Sequence, residues 1–370
     1  MKKVLLTAMA LLTIASASVF GMYGKDDEGH AWMNFLTHGN QLRVRMDQLG
    51  FVLGNDTIKG TFGFKADQGY LGKIITSSLT NGTTTTAFQP TLSAGIGYTS
   101  DIIGVGVGYN FTYINKNLQV HTPVLMINAL NNSIRFVAPI QVAVTDKLNG
   151  FDGNKYTGVA FNNIQFRYYT GIDAFNAIRL YAYYRNSSKE IAGVKSVSEA
   201  FGIQARFYFL NTQVGDVNIN PYVRVEYYTA LQGDNYDDFT AEGHDASKLY
   251  IVDGYKQSDI CDVSPYEFSI RPVLSLAANS DFVSLYFEPS LGYTLAGSKT
   301  KASGLVASVE EMTHALTWGA YAELYVTPVK DLEWYFEMDV NGNVTPEANS
   351  YLTPVSFDAS TGITWYLPAL

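Results

Sequence analysis

Apolar residues occupy every second position along almost the whole chain after residue 40. A period of two places successive side chains on opposite faces of a β-strand, whereas an amphipathic helix repeats its apolar positions every three or four residues. In the segment 104–113, glycine and polar residues alternate with Val105, Val107, Tyr109, Phe111 and Tyr113. Helical periodicity is weak throughout, so the sequence predicts an all-β fold.

The alternating segments define the predicted strands, which lie near residues 41–53, 57–65, 90–99, 104–114, 117–127, 133–144, 160–171, 177–185, 200–209, 220–229, 265–277, 282–294, 316–327, 331–340 and 355–367. If Trp32–Thr37 is one more strand before a turn at His38–Asn40, the count is about 16. Without it and the weak strand 117–127, the count is about 14. We therefore expect about 14 to 16 strands, and the sequence does not decide between the two counts.

The lengths of the connections distinguish two all-β architectures. Short connections are predicted at 54–56, 100–103, 128–132, 172–176, 279–281 and 328–330. Long polar connections alternate with them at 66–89, 145–159, 186–199, 230–264, 295–315 and 341–354. This alternation is typical of a transmembrane antiparallel β-barrel with short periplasmic turns and longer external loops. A secreted soluble β-sandwich is the alternative architecture for alternating strands.

Pairs of adjacent aromatic residues near the predicted strand ends favour the barrel. Aromatic girdles at the two membrane interfaces would use such pairs, although aromatic residues also favour strands in soluble proteins. The pairs are Tyr168–Tyr169, Tyr183–Tyr184, Tyr227–Tyr228, Trp334–Tyr335 and Trp365–Tyr366.

The first residues have the features of a secretory signal peptide. Lys2 and Lys3 precede an apolar run at 4–14, and the small residues that follow allow cleavage after residue 17 or residue 21. The apolar run is about 16 Å long as a helix, which is too short to cross a bilayer. We therefore expect a signal peptide at residues 1–21 and a single barrel domain at residues 22–370.

The composition excludes several classes of protein. Only 16% of the residues are charged, and the gap is filled by 26 Tyr, 21 Phe and 32 Gly. This aromatic content excludes a disordered chain, and the shortage of charge excludes a coiled coil. The net charge of −9 argues against nucleic-acid binding. The single cysteine, Cys261, excludes a disulfide framework.

Three stretches carry a resemblance to a known family. They are MKKVLLTAMALLTIASASVFGMYG at the start, FLTHGNQLRVRMDQLGFVLGNDTIKGTFGF at 35–64, and TGITWYLP at 361–368. With them the chain resembles the variable surface protein family of intestinal spirochaetes (Brachyspira). The resemblance implies an abundant, antigenically variable outer-membrane surface protein, and it brings no catalytic motif or cofactor. The terminal Leu370 departs from the aromatic residue that commonly ends outer-membrane barrels.

The polar face of the predicted strands carries charges that are sorted along the chain. Up to residue 224 it is mainly basic, with Asp47 the main acid, and its cations are Arg43, Arg45, Lys59, Lys65, Arg135, Arg167, Arg179, Arg185, Arg206 and Arg224. Beyond that point it is mainly acidic, with Arg271 the main base, and its acids are Glu226, Glu267, Glu288, Glu323, Glu333, Glu337 and Asp339. A lumen lined in this way is expected to hold a transverse field, as charged rings do in selective pores. The alternative is a closed barrel in which these side chains pair and fill the lumen.

Other candidate sites are weak. The connection 230–264 is rich in acids but lacks the spacing of a calcium loop, so we expect a solvated surface loop. His244–Asp245 is the only pair that resembles a general base with its orienting carboxylate, and nucleophile or metalloprotease motifs are absent from the sequence. We therefore expect no catalytic activity, no cofactor and no metal site.

The predicted function is that of an outer-membrane surface antigen, with porin-like passive diffusion of small solutes as a second role. The alternative is a secreted soluble β-sandwich that acts as a binding protein or adhesin. The expected partners are outer-membrane lipid and, at the cell surface, host molecules or antibodies. The oligomeric state is left open, with a porin-like trimer as one option.

Overall fold

The computed structural model describes residues 32–45, 48–66, 90–232, 263–300, 310–343 and 355–367. Within these ranges the chain forms 20 β-segments and the short 3-10 helices Phe35–Thr37 and Leu148–Gly150. The segments are β1 Gln41–Arg45, β2 Gln48–Gly54, β3 Ile58–Ala66, β4 Pro90–Tyr98, β5 Ile103–Asn115, β6 Leu118–Ala129, β7 Ile134–Pro139, β8 Gln141–Thr145, β9 Lys155–Ile172, β10 Phe175–Ile191, β11 Val194–Phe209, β12 Thr212–Val214, β13 Val217–Ile219, β14 Tyr222–Gln232, β15 Val263–Val273, β16 Leu276–Asn279, β17 Val283–Thr300, β18 Glu310–Val329, β19 Leu332–Asn343 and β20 Val355–Leu367.

These segments form one closed antiparallel barrel. Four strands are interrupted and consist of two segments each (β7 with β8, β11 with β12, β13 with β14, and β15 with β16), so the barrel has 16 strands. Neighbours in the chain are neighbours in the wall, and the first segment closes the barrel against the last. In this closing pair Leu42 lies opposite Leu367 and Arg45 lies opposite Thr364. The predicted all-β barrel is confirmed, and its closure excludes the β-sandwich.

The predicted count of 16 contained two errors that cancelled. The segment 41–53 is not one strand, because it forms the two paired strands β1 and β2, with Arg45 opposite Gln48. The segment Trp32–Thr37 is not a strand, because residues 32–37 are helical. Its apolar residues are spaced i, i+1, i+3 and i+4, which places them on one face of a helix rather than on one face of a strand.

Several connections are shorter than predicted because strand pairing continues through polar sequence. The predicted long connection 186–199 is wrong, since β10 and β11 run on to a two-residue turn. At that turn Ala192 has φ 51° and Gly193 has φ 79°. The connection predicted at 145–159 is confined to residues 146–154, because β9 starts at Lys155. Backbone hydrogen bonding holds these strands together where the apolar alternation has ended.

The two faces of the wall differ in polarity. Outward side chains are large and apolar, such as Val107, Leu291 and Trp365, which are 53%, 68% and 55% exposed. Inward side chains include the buried polar residues Thr122 and Gln165. An apolar outer surface around a polar interior is the arrangement of an outer-membrane barrel.

Only one residue of each predicted aromatic pair lies on the outer face, where a girdle would form. Each pair contributes one ring to the outer face and one to the interior, because adjacent residues of a strand point to opposite faces. Trp334 is 51% exposed, for example, whereas the ring of Tyr335 lies under the guanidinium of Arg45 inside the barrel.

No helix among the described residues is long and apolar enough to cross a membrane. The predicted signal peptide at residues 1–21 lies outside the described residues and stays a prediction.

Candidate functional site on the inner wall

A short apolar segment lies against a glycine-rich part of the inner wall. Its side chains Trp32, Phe35 and Leu36 are 0–3% exposed, and the Trp32 and Phe35 rings meet edge to face at 5.7 Å. A Cβ atom added at Gly108 of β5 would lie 2.7 Å from the Trp32 ring, and one added at Gly97 of β4 would lie 2.3 Å from Leu36. The segment therefore packs against the wall because these positions of β4 and β5 are glycines. We call residues 32–37 the inner segment.

Hydrogen bonds attach the inner segment and the residues after it to the wall. Asn34 Oδ1 accepts a hydrogen bond of 2.8 Å from Arg135 Nη1 on β7. At the short-turn end of the barrel, Lys59 Nζ donates to the carbonyl oxygen of His38 at 2.5 Å. The inner segment is thus tied to two different parts of the wall.

The strand register brings six arginines into one continuous row, which we call the arginine ladder. Each member lies directly opposite the next on the adjacent strand, and the row covers six of the 16 strands of the barrel. The members in order around the wall are Arg135, Arg167, Arg179, Arg206, Arg224 and Arg271.

Tyrosine rings lie against the guanidinium groups of the ladder. The Arg179 guanidinium lies 4.6 Å from the centre of the Tyr208 ring. That of Arg206 lies 5.0 Å from Tyr181, and its Nε donates a hydrogen bond of 2.6 Å to Gln204. The π face of an aromatic ring attracts a cation without neutralising its charge. The rings therefore hold the guanidinium groups against the wall and leave the ladder positively charged.

Only one carboxylate lies within ion-pair distance of the ladder in the described part of the chain. Arg224 Nε is 3.2 Å from Glu226 Oε2, and the same carboxylate accepts hydrogen bonds from Gln204, Tyr228 and Ser269. This carboxylate is therefore already largely satisfied by its own neighbours.

Several nitrogens of the ladder have no hydrogen-bond partner. Arg167 is 1% exposed; its Nη2 donates to Gln165 at 3.0 Å, but its Nε and Nη1 donate to no acceptor. The Nε atoms of Arg179 and Arg271 are also buried without a hydrogen-bond acceptor. Buried donors without an acceptor from the protein are uncommon, so these nitrogens are available to an external acceptor.

The carboxylates on the other side of the barrel are held by tyrosines. Glu288 on β17 accepts hydrogen bonds from Tyr222 and Tyr286, and Glu323 on β18 accepts them from Tyr321 and Tyr325. The neighbouring residue in the register, Glu337 on β19, lies opposite Glu323. These three acids thus lie on β17 to β19, whereas the ladder runs from β7 to β15.

The remaining predicted lumen residues also point inward. Arg43 donates to Gln48 at 2.6 Å, Arg45 donates to Thr364 at 3.0 Å, and Glu333 accepts from Tyr366 at 3.2 Å. Glu267 is partly buried on β15. The candidates Asp47, Cys261 and His244, together with most of the acidic connection 230–264, lie outside the described residues.

The ladder is electrostatically costly. Adjacent strands are about 4.8 Å apart, and two unit charges at about 5 Å repel by roughly 3 kcal/mol at an effective dielectric constant of about 20. Salt lowers this figure, and long side chains spread apart to reduce it. The repulsion is nevertheless repeated at every step of the ladder, which favours the presence of anions beside it.

Most members of the ladder were predictable from the sequence as inward charges, but their alignment was not. Arg271 was expected as the main base among acids, whereas the register places this residue beside Arg224. The missing signal was the position of the turns. Arg179 and Arg206 lie at equal distances along the chain from the turn Ala192–Gly193, so they must face each other once that turn is known.

Comparison with known proteins gives one match over nearly the whole chain. The model of the family described as "Serpulina hyodysenteriae variable surface protein" matches residues 2–366. Among curated proteins, none matches the chain.

Solved structures with related folds are distant. A "bacterial polysaccharide outer membrane secretin" is 10% identical with a TM-score of 0.47, over 89% of this chain and 98% of that one. OmpT, an outer membrane protein of Vibrio cholerae, is 8% identical with a TM-score of 0.33, over 89% and 97%. The outer membrane protease OmpT from Escherichia coli is 8% identical with a TM-score of 0.22, over 90% and 100%. These likenesses are too distant to carry an activity from those proteins to this chain.

Proposed function

The chain belongs to the Serpulina hyodysenteriae variable surface protein family, and we propose that it is a surface-exposed outer-membrane antigen whose barrel also lets small solutes diffuse through its lumen. The observation that carries the diffusion role is the closed barrel of 16 strands with a polar and charged inner face.

The size of the barrel supports an open lumen. Barrels of about eight strands are filled by their own side chains, whereas barrels of about 16 to 18 strands enclose an aqueous channel. The inner segment contacts the inner wall mainly at β4 and β5. The arginine ladder and the acids of β17 to β19 lie on other strands, where their charged side chains point to the interior of the barrel rather than to lipid.

Long strands support exposure of the loops at the cell surface. A tilted strand of about 9 to 11 residues is enough to cross the bilayer. β17 has 18 residues and β18 has 20, so these strands extend beyond the membrane toward their connecting loop. Projecting hairpins of this kind are accessible to antibodies and to host molecules, and variation in them is best tolerated by the fold.

A planar-bilayer recording tests the diffusion role. We expect purified protein folded in detergent to produce discrete conductance steps in potassium chloride solution. Heat-denatured protein from the same preparation is the control and should produce none. A folded barrel that inserts into the bilayer but never conducts would refute the diffusion role.

Epitope insertion tests surface exposure and the orientation of the barrel. A tag inserted after Gly193, at the tip of the β10–β11 hairpin, should bind antibody on intact cells. A tag inserted after Gly215, in the β12–β13 turn at the opposite end of the barrel, should bind only after permeabilisation. The reverse result would contradict the proposed orientation, and antibody binding to neither tag on intact cells would contradict surface exposure.

Three expectations stay predictions: that the protein has no catalytic activity, that a porin-like trimer is one option for its oligomeric state, and that host molecules or antibodies bind it at the cell surface.

A further inference from the structure

We propose that the arginine ladder is a binding site for multivalent oxyanions of the phosphate type inside the lumen. This inference rests on the proposed function, because an anion reaches the ladder from the lumen; a lumen that is open at one end is enough for binding. It goes beyond passive diffusion in that it names the class of solute that the pore binds and favours.

The geometry of the ladder suits an oxyanion better than a simple halide. A guanidinium group presents several N–H donors in a planar fork that matches two oxygens of a phosphate. Neighbouring members of the ladder are separated by one strand spacing, about 4.8 Å. One tetrahedral oxyanion can therefore accept hydrogen bonds from two adjacent arginines at the same time.

The protein itself leaves donors of the ladder unused. Arg167 is 1% exposed and keeps Nε and Nη1 without an acceptor, and the neighbouring Arg179 keeps its Nε without one. Tyr169 lies within electrostatic reach of Arg135, Arg167 and Arg179 and is hydrogen-bonded to Arg167, but a single phenol oxygen cannot serve three guanidinium groups. The row thus presents unsatisfied donors next to one another.

The internal acids do not replace an external anion. Glu226 is the carboxylate at ion-pair distance from the ladder among the described residues, and it lies beside Arg224. Among the described residues, neither Arg167 nor Arg179 has a carboxylate at ion-pair distance. The strongest oxyanion site is therefore expected at the pair Arg167–Arg179, where β9 and β10 meet.

Calorimetric titration of the full, detergent-folded chain with inorganic phosphate at low ionic strength tests the inference. We expect wild type to bind phosphate and the double variant Arg167→Gln/Arg179→Gln to lose affinity by about 100-fold, since each charge-assisted hydrogen bond accounts for about tenfold. Lys155→Gln/Lys189→Gln is the matched control, because it removes two positive charges from the same two strands away from the ladder. Its affinity should stay within about twofold of wild type.

A second variant separates charge from geometry. Arg167→Lys/Arg179→Lys keeps both charges but removes the planar forks, so its affinity should fall between those of wild type and the glutamine variant. Each variant is first shown to be folded by its heat-dependent migration in gels. If the double glutamine variant does not fold, Arg179→Gln alone takes its place, with an expected loss of about tenfold.

The outcomes for the ladder and for the pore are distinguishable. Absence of phosphate binding by wild type, or equal losses in the ladder variant and the lysine control, would overturn the ladder inference even if conductance steps are seen. Phosphate binding without any conductance would overturn the pore and leave the ladder standing. If both hold, millimolar phosphate should reduce the chloride current of wild type but not that of the ladder variant.

Discussion

Replacing Gly108 by alanine should displace the inner segment from the wall. The added methyl group would lie 2.7, 2.8 and 2.9 Å from three atoms of the Trp32 ring. Ordinary contacts between carbon atoms are about 3.5 to 4.0 Å. The ring is 0% exposed and packs against Phe35, so it cannot move aside without moving the whole segment.

The cost follows from these overlaps. Inserting a methyl group into a packed site costs about 1 to 3 kcal/mol. This corresponds to a shift of about 5- to 150-fold in the ratio of seated to displaced segment. The barrel itself should persist, because Gly108 contributes no side chain to the wall and its strand pairing is unchanged.

Tryptophan fluorescence measures the displacement. The chain has four tryptophans, so replacing Trp318, Trp334 and Trp365 by phenylalanine leaves Trp32 as the only reporter. Quenching by acrylamide should be weak when residue 108 is glycine and clearly stronger in the alanine variant. Gly60→Ala is the control, because a Cβ atom there would meet nothing closer than 4.0 Å.

Two results would refute this reasoning. If Trp32 stays equally protected after Gly108→Ala, the inner segment is not held by the glycine surface. If Gly60→Ala exposes Trp32 to the same extent, the effect reflects general loosening of the barrel rather than the predicted contact.

Two further predictions concern acid pH and a hairpin tip. Burial, with nearby cations adding to it, lowers the pKa of His38 below its ordinary value of 6.5, so the seated state binds fewer protons than the displaced state. Acidification below about pH 6.5 should therefore weaken seating and increase the quenching of Trp32, and His38→Gln should remove this dependence; an unchanged pH profile in the variant would contradict the assignment. Gly193→Val should lower the free energy of unfolding in urea by about 1 to 3 kcal/mol, because φ is 79° there. Gly39→Val, where a Cβ atom would meet nothing within 4 Å, should change it by less than about 0.5 kcal/mol, and equal losses at both positions would argue against backbone strain.

The barrel was predictable from the sequence because its two faces meet different solvents. Lipid outside and a polar interior impose strict alternation on every strand, and that alternation located most strands to within a few residues. The alternation gave a wrong result where one continuous strand and two strands joined by a tight turn were both compatible with the same sequence. Residues 41–49 contain no glycine or proline, so no typical turn residue marked the reversal between Arg45 and Gln48.

The inner segment was missed for a related reason. Residues 32–37 were one of two options for the strand count, with 16 strands if they formed a strand, although the spacing of Trp32, Met33, Phe35 and Leu36 is helical. The sequence shows that the glycines of β5 alternate with large apolar residues, but a glycine face does not by itself show which side chains fill the space above it. That space is defined only by the tertiary structure.

The individual charges were predictable, whereas their alignment was not. Parity along a strand fixes the face of each arginine, but register depends on the exact turn and on bulges such as the one between Ala182 and Tyr184. The sorting of charge along the chain nevertheless became a sorting around the wall, because consecutive strands are neighbours in the barrel.

The proposed function requires each strand to have one face in lipid and the other in a water-filled lumen. Adjacent residues on β17 test it directly, since Leu291 is 68% exposed on the outer face and Ser290 points inward. In a Cys261→Ser background reconstituted into vesicles, Ser290→Cys should react with a charged, membrane-impermeant thiol reagent and Leu291→Cys should not. Equal reaction at both positions, or protection of both, would contradict the claim.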